Sequence, residues 1–241
     1  MDRPGNGTFN LVLRGINLLN SENYPFHVIT ALTPEALNYP DTIWKFYVLN
    51  GIKNVSLNPV RIDGSNHVIN LNSVISYEKF KNFIFKILTL RENSGVDIFL
   101  RWEDTERAVI ENGIETERDA GKSLQIITID AAGNLSVFTS GLATVTHAHY
   151  WSFIFANIMN IKSLNDIITN QKLIKIKNKI DLGKTTCKNT CNDFIVCGGG
   201  DPAMKLWENN TFAGSETTEC RPAIKARTDA LLYYLGTLPY K

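Results

Sequence analysis

No cysteine occurs in the first 186 residues of this chain, so disulfides cannot cross-link its N-terminal three quarters. No apolar run reaches the ~18 residues that a membrane span needs. The opening MDRPGNGTFN has no basic stretch followed by an apolar one, so no secretory signal is read there and a cytoplasmic location is expected. A strong charge of either sign is also missing. The net charge is +1, which leaves no cation excess for non-specific nucleic-acid binding. Internal repeats and low-complexity tracts are absent. What is present suits a packed core: 44% apolar residues against 20% charged, over 241 residues, argue for one large domain or two small ones.

Hydrophobic spacing predicts an α/β beginning. Residues 8–20 read as a helix with Phe9, Val12, Leu13, Ile16 and Leu19 on one face. Phe26 to Leu32 reads as a strand. A helix then opens at Pro40, buries Ile43, Phe46 and Tyr47, and stops at Asn50-Gly51. Asn54 to Val60 is a second strand. Ser76 is placed as the cap of a long helix carrying Tyr77, Phe80, Ile84, Ile87 and Leu88, and Val96 to Trp102 is a third strand. Strands alternating with helices form parallel sheets, because parallel neighbours need a crossover. Three strands are too few for a closed barrel, so the sheet reads as part of something larger.

After about residue 112 the pattern changes. Residues 113–122 read as a polar linker. LQIITID and LSVF read as a hairpin around residues 131–134, and Ser163 is placed as the cap of a short helix. The lysine-rich stretch 171–184 shows a mixed period and reads as a solvated face.

All four cysteines follow, as C-x3-C-x5-C-x22-C: Cys187, Cys191, Cys197 and Cys220. Three close thiolates and a distant fourth can form one site for zinc or an iron–sulfur cluster. Spacing leaves those two open, along with buried unligated thiols and, less in keeping with the compartment, two disulfides. Gly198, Gly199 and Gly200 directly follow the third cysteine and can turn amides toward a sulfur or an anion.

The segments CKNTC, FIVCGGGDP, KLWENNTF and SETTEC, ahead of RPAIKARTDALLYYL, resemble the C-terminal SPASM-type domain of radical SAM enzymes. Within that group they are most similar to maturases that install cyclophane cross-links in glycine-rich peptides. GTFNLVLRGINLL resembles the stretch leading into the fourth barrel strand of such enzymes, and FANIMNIKSLNDII their approach to the cysteine domain. The resemblance implies the C-terminal part of a partial (β/α) radical SAM barrel, over residues 1–112. A connecting hairpin and helical region follows over 113–186, and a SPASM-like auxiliary cluster domain over 187–241. It implies S-adenosylmethionine as cofactor where the other barrel half is supplied, and a ribosomally made, glycine-rich precursor peptide as partner. A separate chain carrying the N-terminal barrel half is a further implied partner.

Departures from the family pattern limit what this chain is expected to do. C-x3-C-x2-C, which holds the radical-generating cluster in that family, does not occur; CKNTC matches only its first spacing. The family's C-x2-C-x5-C-x3-C pattern is altered too, since the first gap is three residues and Asp201 stands where the fourth cysteine would be. By that correspondence Cys187, Cys191, Cys197 and Cys220 serve a single auxiliary [4Fe–4S] cluster. Asp201 is weighed as a carboxylate ligand against a turn residue before Pro202. The expected function is therefore a cluster-bearing part of a peptide maturase, inactive alone. A zinc-stabilised, non-catalytic peptide- or protein-binding module is the alternative.

Strand ends nominate further candidates, because parallel barrels place their sites there. These are Thr33, Asn58, Arg61, Asp63, Arg101, Glu103 and Asp104, with ion pairing in a loop or helix-opening acids as the plainer alternatives. His147 and His149 are weighed as a metal pair against surface histidines. Trp44, Trp102, Trp151 and Trp207 read as core or rim residues.

Overall fold

The computed structural model describes residues 7–60, 75–113, 124–143 and 145–238. Helix α1 (Phe9–Ser21) leads into strand β1 (Val28–Leu32), helix α2 (Pro40–Leu49), strand β2 (Asn54–Pro59), helix α3 (Tyr77–Ser94), strand β3 (Phe99–Leu100) and helix α4 (Glu103–Asn112). Five short strands follow: β4 (Ile127–Ile129), β5 (Asn134–Val137), β6 (Thr146–His147), β7 (Trp151–Ser152) and β8 (Ala156–Asn157). The remainder is helical: α5 (Asn165–Ile168), α6 (Gln171–Thr190), α7 (Phe194–Cys197) and α8 (Pro202–Asn209). Last come wide π-helical turns over Arg221–Ala226, which run into α9 (Arg227–Thr237).

The chain divides into two compact units. One contains the residues up to Val60, the stretch through Ala108 and the C-terminal residues from Ala226; the other is built on Val109–Lys225.

The first unit carries a parallel sheet in the order β1-β2-β3. Pro40 stands in the first turn of α2, and Gly51 (φ 62°) follows its end, as the sequence predicts. Trp44 and Tyr47 form that helix's buried side. Burial pushes the Tyr47 hydroxyl up to about 12, against a 2.6 Å hydrogen bond with Thr30. α3 buries Phe80, Phe83, Ile84, Ile87 and Leu88 and ends on Gly95 in the left-handed conformation. Ser76 precedes it, but its side chain makes no capping bond. α9 lies against α3, with Tyr234 Oη donating to Glu92 at 3.0 Å, Tyr77 donating to Asp229, and the Phe85 and Tyr233 rings 4.9 Å apart.

Ile43 and Phe46, expected on the buried side of α2, are only half-buried, and two further expectations for this unit change. The strand predicted over 96–102 pairs only at Phe99 and Leu100, opposite Asn54 and Val55, because Glu103 already begins α4. The face predicted for α1 reduces to Ile16 as its buried residue, while Phe9 and Val12 are exposed.

The second unit holds a three-stranded antiparallel sheet in the order β4-β5-β8 and a β6-β7 hairpin. The β4–β5 turn forms as predicted: Asp130 Oδ1 accepts the amides of Ala132 and Asn134. Its core gathers Leu135, Phe138, Phe153, Leu173, Ile176, Ile180 and Phe212 around α6. The stretch with the mixed period is thus a single long helix, whose buried residues are Leu173, Ile176, Ile180, Gly183 and Cys187. Asn170 caps it, accepting from the amides of Lys172 and Leu173. Ser163 does not cap α5. Asp166 instead accepts the amides of Lys162 and Ser163, which closes the turn before that helix.

Candidate metal centre

α6 delivers Cys187 to the site on a rigid helix. The residue sits in the last turn, buried, and Cys191 follows directly as the helix ends. Gly183 makes this placement possible, because a Cβ there would run into the carbonyl oxygen of Phe212. Only hydrogen lets the 212–214 backbone lie on that turn of α6.

Cys197 closes α7 and is followed by three consecutive glycines with positive φ: 70°, 108° and 75° at Gly198, Gly199 and Gly200. This left-handed run turns the amides of Gly199 and Gly200 back onto the Cys197 sulfur. Burial pushes the Cys197 thiol up to about 11. The two amides oppose that push, and the neighbouring Cys220 and Cys187 thiols add to it. Cys220 stands just before the π-helical turns, with the Thr217 amide donating to its Sγ at 3.4 Å and the Thr217 hydroxyl within hydrogen-bond distance of it at 3.3 Å.

The four cysteines line one cavity of about 80 Å³, together with Thr190, Phe194, Ile224 and Lys225. None of them is disulfide-bonded. Lys205 Nζ donates to Cys187 Sγ at 3.2 Å and to the Gly183 carbonyl at 3.1 Å. Among the described residues, no group of three or more His, Cys, Asp or Glu side chains stands close enough together to hold a single metal ion. The sulfurs share a cavity rather than a point.

The other candidates take structural positions. Asp201 caps α8, its Oδ1 accepting the Ala203 amide at 2.8 Å. His147 and His149 do not form a metal pair: His147 Nε2 is 2.8 Å from Asn210 Oδ1, and its Nδ1 accepts the His149 amide. Thr33 accepts the Ala36 amide, Asn58 and Asp104 are exposed, and Arg101 reaches His27 at 3.3 Å. Glu103 is buried between Arg91 (2.5 Å) and Arg107 (2.9 Å). Arg61 and Asp63 lie outside the described residues. Trp44 and Trp102 are core, Trp207 is half-buried and Trp151 is 79% exposed.

Lys205, Thr217 and the Glu106–Arg227 pair escaped the sequence reading. Only Lys205 left a signal, a lone cation inside the apolar run PAMKLW.

No protein-family model matches the chain. An uncharacterized protein of Synechocystis sp. is 30% identical over 235 residues, which is 95% of this chain and 58% of that protein. Solved structures of anSMEcpe share the fold. Native anSMEcpe with bound AdoMet gives a TM-score of 0.73 at 15% identity, over 98% of this chain and 63% of that one. Native anSMEcpe with bound AdoMet and Cp18Cys peptide gives 0.69 at 16% identity, with the same coverage. The chain therefore spans about six tenths of the length of these proteins. Among the described residues, no helix is long and apolar enough to cross a membrane.

Proposed function

We propose that this chain is part of a radical SAM/SPASM peptide-modifying enzyme, in which Cys187, Cys191, Cys197 and Cys220 hold one auxiliary [4Fe–4S] cluster. The observation that carries this reading is the convergence of all four cysteines on one cavity. The donor set is wholly thiol, which suits soft metals and iron–sulfur clusters. Its surroundings suit thiolates: glycine amides face Cys197, the Thr217 amide faces Cys220, and an ammonium faces Cys187. A cluster takes one thiolate per iron, so its ligands stand around a space, as these do.

When bound, such a cluster supplies one-electron chemistry. The chain's own part is to hold four sulfurs, to donate hydrogen bonds to three of them and to exclude water with Phe194 and Ile224. The partner under this reading is a ribosomally made, glycine-rich peptide, and the modification a cyclophane cross-link. The fold shared with anSMEcpe, which was solved with AdoMet and peptides, supports AdoMet and peptide as the substrate classes. The sequence holds no C-x3-C-x2-C. By this reading residues 1–241 alone do not cleave S-adenosylmethionine, and the radical-generating half comes from outside them.

Anaerobic reconstitution tests the proposal. The expected product carries about four irons and four sulfides per chain and absorbs near ~400 nm, and Cys197→Ala loses it. Iron below one equivalent, with one tightly held zinc, would instead establish the zinc-stabilised module.

A further inference from the structure

Lys205 is an unusual lysine. It lies on α8 in a row of five buried residues, Pro202, Ala203, Met204, Lys205 and Leu206, and is itself 3% exposed. Lysine is almost never this buried without a partner charge. Its Nζ has two contacts, the Gly183 carbonyl oxygen and Cys187 Sγ, and no carboxylate among the described residues pairs with it. Lys225, at the cavity mouth, has Glu216 at 3.2 Å. The acceptors that answer Lys205 are thus a backbone carbonyl and the sulfur of Cys187.

We infer that the Lys205 ammonium is the built-in counter-cation of the four-thiolate site, held on Cys187 so that it favours the more negative redox state of a bound cluster. The inference rests on the cluster reading above. A cube ligated by four thiolates is anionic, and adding one electron makes it more so. A cation within hydrogen-bond reach of a ligand sulfur stabilises the reduced form more than the oxidised one. The geometry is pre-set, because Gly183 and Cys187 lie one turn apart on α6 and hold Nζ between them. Lys205 is thus a positioning residue that acts through Cys187.

The test uses the full chain, reconstituted anaerobically as wild type, Lys205→Gln and Lys205→Arg. Each is titrated with dithionite as electron donor and followed by visible absorbance and electron paramagnetic resonance. The expected result is a more negative midpoint for Lys205→Gln, with Lys205→Arg staying near wild type at equal iron and sulfide content. A Lys205→Gln midpoint equal to wild type overturns the inference. Loss of the cluster in Lys205→Gln but not in Lys205→Arg supports it, since the two differ in charge. Equal loss in both variants overturns it in favour of simple packing. A wild-type chain that assembles no cluster removes the underlying reading first, before any variant is compared.

Discussion

Arg227 holds the carboxylate of Glu106 across 121 residues of sequence, with its Nε 2.8 Å from Glu106 Oε1 and its guanidinium 5.2 Å from the centre of the Trp102 ring. Glu106 is fully buried, so the pair fixes the start of α9 to α4 inside the first unit. Removing one partner takes this pairing away from a buried charge. Arg227→Met should cost about 3–5 kcal/mol in urea unfolding, and Glu106→Gln added to it should recover part of that loss. A single-variant loss below about 1 kcal/mol would show that water reaches the site.

Glu103 makes the acid limb of stability testable. Burial works against its ionisation, but the hydrogen bonds and charges of Arg91 and Arg107 outweigh that and hold its carboxyl below the ordinary 4.5. The stabilisation is complete above that ordinary value and is lost as pH falls through the lowered one. Thermal unfolding from pH 7 down to pH 2 should show a decline that begins below about pH 4.5. In Glu103→Gln the decline should flatten and stability at pH 7 should be lower.

Two glycines on helices should respond oppositely to alanine. At Gly183 the added methyl meets the Phe212 carbonyl, and overpacking against backbone costs about 1–3 kcal/mol. At Gly15, on α1, nothing lies within 4 Å of the added methyl, so alanine should stabilise by up to about 1 kcal/mol. Gly183→Ala should also lower iron retention after reconstitution, since it moves the turn of α6 that leads to Cys187. Equal behaviour of the two variants in denaturant would contradict the close approach.

Trp151 sits at φ 57° and is 79% exposed. A bulky residue in left-handed backbone is strained, and here little burial offsets the strain. Trp151→Gly or Trp151→Asn should raise the melting temperature by a few degrees, about 1 kcal/mol. A fall of that size would mean that the indole's remaining contacts outweigh the backbone term.

Strong local signals were legible in the sequence. Pro40 and Gly51 bracket α2, and the 3–4 spacing of α3 names its buried face, because both depend on neighbours within a turn or two. The three parallel strands were found, although β3 shortened to the residues that meet β2. α6 was read as a solvated face of mixed period because its many lysines interrupt the aliphatics, although its buried Leu173, Ile176 and Ile180 already stand three and four residues apart. Ser163 looked like a cap, yet Asp166 closes that turn, as the more strongly accepting group. The strands β6 to β8 are two residues long and exist through pairing alone, so no periodicity could reveal them.

For the site, cysteine identity and the glycine run were readable because the chemistry is local. Asp201, weighed as a carboxylate ligand or a turn residue before Pro202, resolved as a helix cap. Lys205, Glu106 and Arg227 were hidden because their roles depend on partners far away in sequence. Burial of a charge is a tertiary fact, and nothing in the neighbouring residues encodes it.

The three glycines after Cys197 have one more consequence. Their backbone has the handedness that mirror-image amino acids prefer. A chemically synthesised chain with D-alanine at Gly198 should keep its stability, while the L-enantiomer at the same place should lose about 1–2 kcal/mol. Chirality at a single α-carbon would then set how firmly the loop behind the third sulfur is held.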